Sequence, residues 1–376
     1  MNGFRLIVAL LPLVFSGLTG CSTIMQGAPL PEGFAVRQIA KADAGTPFAS
    51  NPNGGFAAVS KGAVQVHDTG GAVRIISEGT PSALSFSPKG DLLAAVLPAG
   101  KSSALLLFDR QGKVVAETVI AEELTSVAWR SESQLLATAV QITKFSFGSQ
   151  LKSVLYLWDG ATPPVATTLS QVTVRPGLAK LPEETLRGTF FLAVSPYRDE
   201  IAYGALKDPP VFTPYLRVMV RHLKSGTVKE LGRISVGQAG AVYAPDGESL
   251  LVGDAHSLTR RLSIPEGREM DAWPSPGSYP ALSPSGSYLF LDGRVYQDGR
   301  AILSFPSRAK AAFLPDGSGL LVSYDGRIYQ VSGLQDRAAA ALPADLGRLL
   351  ELRRQRSLGL VTEKEYRAQK QQLSAP

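Results

Sequence analysis

A short unit recurs along most of this chain and limits the folds that it can adopt. In each copy an apolar run is followed by a turn rich in proline, glycine, serine or aspartate, and then by a second apolar run. Proline fixes φ and glycine supplies a positive φ, so these turns favour β-hairpins. The flanking runs are typical of strands covered on both faces. The clearest copies are residues 83–96, 241–252, 281–291 and 312–322, and the weaker ones are 127–138, 193–203 and 48–59.

A third strand often follows and ends in an aspartate turn, as at Asp68, Asp109, Asp159 and Asp298. Seven copies at intervals of roughly 30 to 65 residues match no helical solenoid, and four strands per unit predict an all-β, seven-bladed β-propeller. A β-sandwich or barrel is the alternative. The Ser-Pro-Asp-Gly-like turn resembles the repeats of WD-repeat-like and Tol-system-like periplasmic propellers, although only Trp158-Asp159 supplies the WD dipeptide.

The strand count predicts how such a ring closes. The last unit, from Ala309, shows only three strands, and the third ends at residues 328–331. Residues 34–40 precede the first unit and have no partner in it. Because an unpaired edge is a liability, we expect this segment to supply the outer strand of the last blade. The propeller is then predicted to span residues 34–335.

Composition and charge exclude several classes of protein. A hydrophobic content of 44% and a charged fraction of 19% indicate a globular chain. The net charge of +6 is spread along the chain, and no basic cluster with interleaved aromatics favours nucleic acid as a partner. With Cys21 as the only cysteine, no intramolecular disulfide is possible.

The N-terminal residues read as a targeting segment. Arg5 lies in a short basic region, and residues 6–15 are almost wholly apolar, which predicts a signal peptide over residues 1–20. Leu18-Thr19-Gly20-Cys21 resembles the lipobox of bacterial lipoproteins. The resemblance implies cleavage before Cys21, a diacylglycerol on its sulfur, and a lipid-anchored tether over residues 21–33. Ser22 in place of an aspartate favours the outer membrane, facing the periplasm.

Three stretches are longer than turns require, namely residues 141–149, 171–188 and 206–215. Each stretch lies either between the second and third strands of a blade or between one blade and the next. In an antiparallel blade these two kinds of connection leave the sheet at the same end, so the three stretches should lie close together on one face of the ring. Exposed aromatics together with arginine are typical of protein-binding hot spots. The candidate protein-binding residues are Phe145, Phe147, Arg175, Lys180, Arg187, Phe212 and Tyr215.

No catalytic, metal-binding or cofactor-binding residues are predicted. His67, His222 and His256 are isolated and show no metal-ligand spacing, and no nucleophile elbow, P-loop or dinucleotide fingerprint is present. The aspartates lie mostly in turns, where capping is their ordinary role. His67 and His222 precede strand-end turns and are interpreted as packing or surface residues.

The composition changes near the C-terminus, where residues 336–376 predict a linker and a short α-helical hairpin. Thr362 and Glu365 form a capping-box pattern, with Val361 and Tyr366 placed as its hydrophobic staple. The segment resembles the SHOCT module, a short C-terminal helical domain, and the resemblance implies oligomerisation or a protein contact. The residues concerned are Leu349, Leu352, Gly359, Val361, Thr362, Glu365, Tyr366 and Leu373.

Together these patterns predict a non-enzymatic, membrane-anchored envelope lipoprotein. Its propeller would bind protein partners, and its hairpin would promote homo-oligomers. The alternative is an envelope propeller hydrolase, lactonase-like, or a glycan or ligand receptor that uses the central channel. A lactonase-like site would need inward-pointing carboxylates and a bound metal.

Overall fold

A computed structural model of the chain describes residues 30–334, apart from 147, 175–190, 207–214, 236–238, 255–257, 265 and 274–278, together with residues 336, 352, 362, 364–366, 368 and 369. The described strands form seven antiparallel sheets of four strands each. The chain is therefore a seven-bladed β-propeller, as the repeats predict, and the sandwich or barrel alternative is wrong.

Each of the first three blades is built from consecutive strands, after an initial strand β1 (Ala35–Lys41). Blade 1 contains β2 (Phe48–Ser50), β3 (Phe56–Ser60), β4 (Ala63–His67) and β5 (Val73–Glu78). Blade 2 contains β6 (Ala83–Phe86), β7 (Leu93–Ala99), β8 (Ser102–Phe108) and β9 (Val114–Ile120). Blade 3 contains β10 (Leu124–Ser131), β11 (Gln134–Phe145), β12 (Gly148–Trp158) and β13 (Val165–Val174).

The next three blades repeat this pattern, and the seventh borrows its outer strand from the start of the chain. Blade 4 contains β14 (Leu192–Val194), β15 (Glu200–Leu206), β16 (Tyr215–His222) and β17 (Val228–Ser235). Blade 5 contains β18 (Ala239–Tyr243), β19 (Ser249–Asp254), β20 (Thr259–Ser263) and β21 (Glu269–Trp273). Blade 6 contains β22 (Ala281–Leu282), β23 (Tyr288–Leu291), β24 (Arg294–Gln297) and β25 (Arg300–Ser304). Blade 7 contains β26 (Lys310–Phe313), β27 (Gly319–Tyr324), β28 (Arg327–Ser332) and β1.

The ring closes through β1, in the position that the strand count predicts. This strand pairs antiparallel with β28, from Ala35 opposite Ser332 to Lys41 opposite Arg327. Val36 is buried in the apolar cluster between blades 6 and 7, which also contains Val331. The first strands of neighbouring blades contact each other around the axis, while each fourth strand forms the outer rim.

The alternating strand directions give the ring two distinct faces. The hairpin face carries the turns between first and second strands and between third and fourth strands. The insertion face carries the turns between second and third strands and the connections between blades. On the hairpin face, turn aspartates accept hydrogen bonds from nearby backbone N–H groups, as predicted for Asp68, Asp109, Asp159, Asp246 and Asp316.

Polar bonds on the hairpin face also link one blade to the next. Arg198 of blade 4 contacts Glu248 of blade 5 at 2.7 Å. Gly90 lies in a turn of blade 2 at a φ of 73°, and a Cβ there would lie 2.2 Å from Asn51 Oδ1 of blade 1. Glycine thus meets two needs at this position, a left-handed backbone and close approach of the preceding blade.

After β28 the chain turns along the hairpin face toward blade 6. Leu334 is buried between blades 6 and 7. The Asp336 carboxylate accepts hydrogen bonds from the backbone N–H of Ser285, at 3.1 Å, and from its hydroxyl. Residues 30–34 lead into β1 at the same face. Gly319 lies at the hairpin-face end of β27 and is opposite Ser332 of β28. Ser332 is in turn opposite Ala35, the first residue of β1, so β1 also begins at the hairpin face.

The two hydrogen bonds of the predicted capping box are present near the C-terminus. The Glu365 carboxylate accepts from the Thr362 backbone N–H at 2.7 Å, and the Thr362 hydroxyl accepts from the Glu365 N–H at 3.3 Å. Leu352 and Tyr366 are helical and buried. The rest of the predicted hairpin, with Leu349, Gly359, Val361 and Leu373, lies outside the described residues, as does Cys21. In the part of the chain that the structure describes, no helix has the length and hydropathy of a membrane span.

Candidate functional site

A long β-hairpin rises from the insertion face at blade 3. Strands β11 and β12 are paired over eleven residue pairs, from Leu135 opposite Trp158 to Phe145 opposite Gly148. The corresponding strands β7 and β8 of blade 2 are paired over seven. At the rise of a β-strand, the difference projects the tip ~13 Å further. Residues 141–149 are predicted from the sequence to be an insertion between strands. In the structure, residues 141–145 continue β11 and residues 148–149 begin β12.

The third strand of this protrusion comes from the second insertion. Residues 171–174 extend β13, and Val174 lies opposite Ser149 near the tip. The end of β13, where the chain leaves blade 3, therefore runs beside the hairpin between β11 and β12, as antiparallel geometry requires. Residues 175–190, with Arg175, Lys180 and Arg187, lie outside the described residues.

The protrusion packs against blade 4. Leu151 and Val172 of blade 3 belong to one buried apolar cluster with Leu206, the last residue of β15, and Leu216, near the start of β16. The predicted crowding of neighbouring insertions on one face is thus seen for their described parts. A shared core holds the protrusion in a fixed relation to blade 4.

A half-buried carboxylate supports the base of the protrusion. Glu122, in the connection from blade 2 to blade 3, accepts hydrogen bonds from the Tyr156 hydroxyl and the Gln141 side-chain amide, each at 2.5 Å. Burial raises the pKa of Tyr156, and the bond to Glu122 raises it further. The phenol therefore stays protonated and keeps its donor directed at the carboxylate.

The described candidate residues differ in their surroundings. Phe145, at the tip of the β11–β12 hairpin, keeps 42% of its surface exposed. Tyr215, at the start of β16, is only half-exposed and lies beneath Arg233, whose guanidinium carbon is 4.7 Å from the centre of the ring. Glu230 holds Arg233 from the other side at 3.2 Å. Phe147 and Phe212 lie outside the described residues.

The mouth of the central channel opens on the same face and is largely apolar. A recess of about 390 Å³ lies among the starts of the first strands and is lined by Leu124, Phe191 and Tyr279 among others. Lys310, which begins β26, places its ammonium 5.3 Å from the centre of the Tyr279 ring. Burial lowers the pKa of Lys310. The channel mouth therefore adds aromatic surface and a partly desolvated cation to the insertion face.

Sequence reasoning missed this channel mouth because its residues come from different blades. Nothing local marks Phe191, Tyr279 or Lys310, and only the closed ring brings the first strands together.

The two described histidines have packing or turn roles, as predicted. His67 stacks on Phe56 at 4.4 Å between ring centres, and His222 Nδ1 accepts a hydrogen bond from the Ser225 N–H at 3.1 Å. The described residues contain no cluster of histidine and carboxylate side chains arranged to hold a metal ion.

Comparison with solved structures agrees with this architecture. The β-propeller domain of Cps50 (Swd1) from Myceliophteria thermophila is 15% identical, with a TM-score of 0.55 over 79% of this chain and 99% of that domain. A chain in the crystal structure of the mitotic checkpoint complex is 13% identical, with a TM-score of 0.57 over 82% of this chain and 98% of that one. No protein-family model and no curated protein sequence matches the chain. At such low identity the likeness shows the fold alone, a seven-bladed β-propeller with WD-repeat-like structural neighbours.

Proposed function

We propose that this chain is a membrane-anchored, non-enzymatic propeller whose insertion face binds a protein partner in the cell envelope. The observation that carries the proposal is the protrusion of blade 3, which is packed on blade 4 and presents Phe145 at its tip on the same face as an apolar channel mouth. Extending two strands by several residue pairs and packing them on the next blade exceeds what a connection between strands needs. Propellers commonly mediate contacts between proteins, which agrees with this interpretation.

The position of the tether supports the same proposal. Residues 30–34 and residues 333–334 both meet blade 7 at the hairpin face, where a Cβ on Gly333 would lie 2.1 Å from the Gly33 carbonyl oxygen. A lipid on Cys21 would therefore hold the hairpin face toward the membrane. The insertion face, at the opposite end of every strand, would then be turned toward partners in the periplasm.

Site-specific cross-linking in intact envelopes tests the insertion face. We expect a photoreactive phenylalanine analogue at Phe145 to give a discrete cross-linked product with a protein. Val114 is the matched control, because it is 41% exposed, compared with 42% for Phe145, and lies at the hairpin-face end of β9. Excess purified chain starting at Ser22 should compete away the Phe145 product.

Two results would contradict the proposal. One is the same set of products from positions 145 and 114, which would indicate random collisions. The other is stoichiometric metal in the purified protein that is required for a hydrolytic activity, which would support the alternative of a propeller hydrolase.

Replacement of the lipid-accepting residue gives a second prediction. We expect Cys21→Ala to abolish lipid attachment and to leave the protein either unprocessed or released into the soluble fraction, because a thioether needs the sulfur. Fractionation and intact-mass measurement check this outcome. A Cys21→Ala protein that is cleaved after Gly20 and still partitions with membranes would refute the anchor, and Ser22→Ala serves as the neighbouring control.

Self-association through residues 343–376 is the remaining part of the proposal. A single helical hairpin buries too little surface to be stable alone, so it needs a further surface from this chain or from another copy. We expect removal of residues 343–376 to convert an oligomer into a monomer by light scattering. Full-length protein that is monomeric at the same concentration would argue against self-association.

A further inference from the structure

Once the ring is known, one position of the repeat can be compared from blade to blade. It lies five residues before the proline in the turn between the first and second strands. The structure places this position close to the start of each first strand, at the insertion-face end of the channel. In the six blades that have the proline, the residues are Pro47, Ala83, Phe191, Gly240, Tyr279 and Lys310. Lys310 is the single charged residue among them.

Three of these residues line the recess of about 390 Å³ at the channel mouth. They are Phe191, Gly240 and Tyr279, from the adjacent blades 4, 5 and 6. Aromatic residues of two blades therefore lie on either side of a glycine, whose missing side chain leaves room at the wall. The volume of the recess lies within the range of ligand pockets in proteins.

Lys310 follows Tyr279 around the ring and lies beside this recess. Its ammonium is 5.3 Å from the centre of the Tyr279 ring, and its side chain is partly buried. Tyr279 thus belongs both to the recess and to the contact with the cation. The recess and the ammonium together offer apolar surface next to a positive charge.

Lys310 has no counter-ion among the described residues. Burial lowers its pKa, and no carboxylate opposes that effect. By contrast, Arg217 and Arg233 on the same face share Glu230, at 3.1 Å and 3.2 Å. A partly desolvated cation without an anion costs stability, and the first strands of the other blades avoid that cost with uncharged residues. A bound anion would offset it at Lys310.

The hydroxyl groups of the recess are already engaged. Thr125 Oγ1 donates to the Thr138 carbonyl oxygen at 3.1 Å, and Ser126 Oγ lies 2.5 Å from Thr138 Oγ1. Ser82 Oγ donates to the Val96 carbonyl oxygen at 3.4 Å. None of the described residues that line the recess is charged. The recess therefore suits an apolar body, and Lys310 supplies the single charge beside it.

We propose that the channel mouth binds a small amphipathic carboxylate, with its apolar ring or chain in the recess and its carboxylate on Lys310. The apolar part contacts Leu124, Phe191 and Tyr279, and the carboxylate accepts charge-assisted hydrogen bonds from the ammonium. The site needs no protein partner on the protrusion, so it goes beyond the function proposed for the insertion face.

Other ligand classes fit less well. A cationic ligand would meet Lys310 and, among the described lining residues, no carboxylate. A sugar needs several free donors and acceptors, whereas the hydroxyls of Ser82, Thr125 and Ser126 are used within their own blades. A nucleotide carries several negative charges, for which one ammonium is too little.

Titration calorimetry of the purified chain starting at Ser22 tests the proposal, with decanoate and phenylbutyrate as probes. We expect at least one of these acids to bind as one molecule per chain. Decanol and phenylbutanol, which lack the charge, should bind about tenfold more weakly or worse. Lys310→Met should weaken the binding of the acid to the same extent, whereas Lys310→Arg should retain most of it.

A matched variant separates the site from general electrostatic attraction. Lys101→Met removes the same charge from an exposed turn of blade 2 on the same face and should bind the acid as the parent does. Lys310→Met should keep the thermal midpoint of the parent, because methionine retains the apolar stem of lysine and removes a partly desolvated charge.

Four outcomes would overturn the proposal. These are no binding of either acid, equal binding of acid and alcohol, equal affinity of the parent and Lys310→Met, and binding of an acidic peptide but of neither acid. All these measurements use the purified chain with Phe145 intact and no partner present. The proposed function and this site can therefore fail separately.

Discussion

Replacing Arg130 by alanine is expected to destabilise the propeller by about 3–5 kcal/mol, because it leaves a buried carboxylate without its cation. Arg130 lies near the end of the first strand of blade 3, and its guanidinium holds Asp199, in the first turn of blade 4, at 2.5 Å and 2.7 Å. The Asp199 side chain is only 1% exposed. The pair joins two neighbouring blades, and its loss affects both.

Two further variants separate the pair from its surroundings. Arg130→Met combined with Asp199→Leu removes both charges and should recover most of the lost stability. Arg110→Ala removes an exposed partner of Asp91 and should cost less than about 1 kcal/mol. The midpoint and slope of urea unfolding measure all three. An Arg130→Ala protein as stable as Arg110→Ala would show that Asp199 is solvated or paired in another way.

Arg130 and Asp199 also illustrate what the sequence could not predict. They are 69 residues apart, and neither belongs to a recognisable motif, so only the adjacency of blades 3 and 4 brings them together. The same holds for Lys310 and Tyr279 at the channel mouth, since their contact depends on the adjacency of blades 6 and 7. Pairings between distant segments leave no local pattern.

Local chemistry predicted the architecture more successfully. Turns such as Ser87-Pro88-Lys89-Gly90 fix the backbone by φ alone, so their recurrence predicted the hairpins and hence the blades. Counting strands predicted that the first strand closes the last blade. The extension of β11 escaped prediction because Thr143 and Lys144 interrupt the apolar pattern, although they continue the strand as a partly solvated protrusion.

A chain that begins at residue 45, and therefore lacks β1, is expected to lose cooperative unfolding. Without β1 the edge of β28 is exposed, and such edges promote aggregation. The cluster between blades 6 and 7 also loses Val36, whose burial contributes ~1.5–3 kcal/mol, together with Leu30 and Phe34. Circular dichroism during heating and light scattering measure the loss.

A peptide of residues 30–44 supplied separately should restore cooperative unfolding, because the strand binds through its pairing with β28 rather than through its covalent link to blade 1. The thermal midpoint should then rise with peptide concentration, as expected for a ligand of the folded state. The same peptide with Val36→Asp should fail, since it would place a charge in the buried cluster. A truncated chain that unfolds cooperatively without the peptide would mean that six blades and three strands suffice, and that β1 serves only as the connection to the tether.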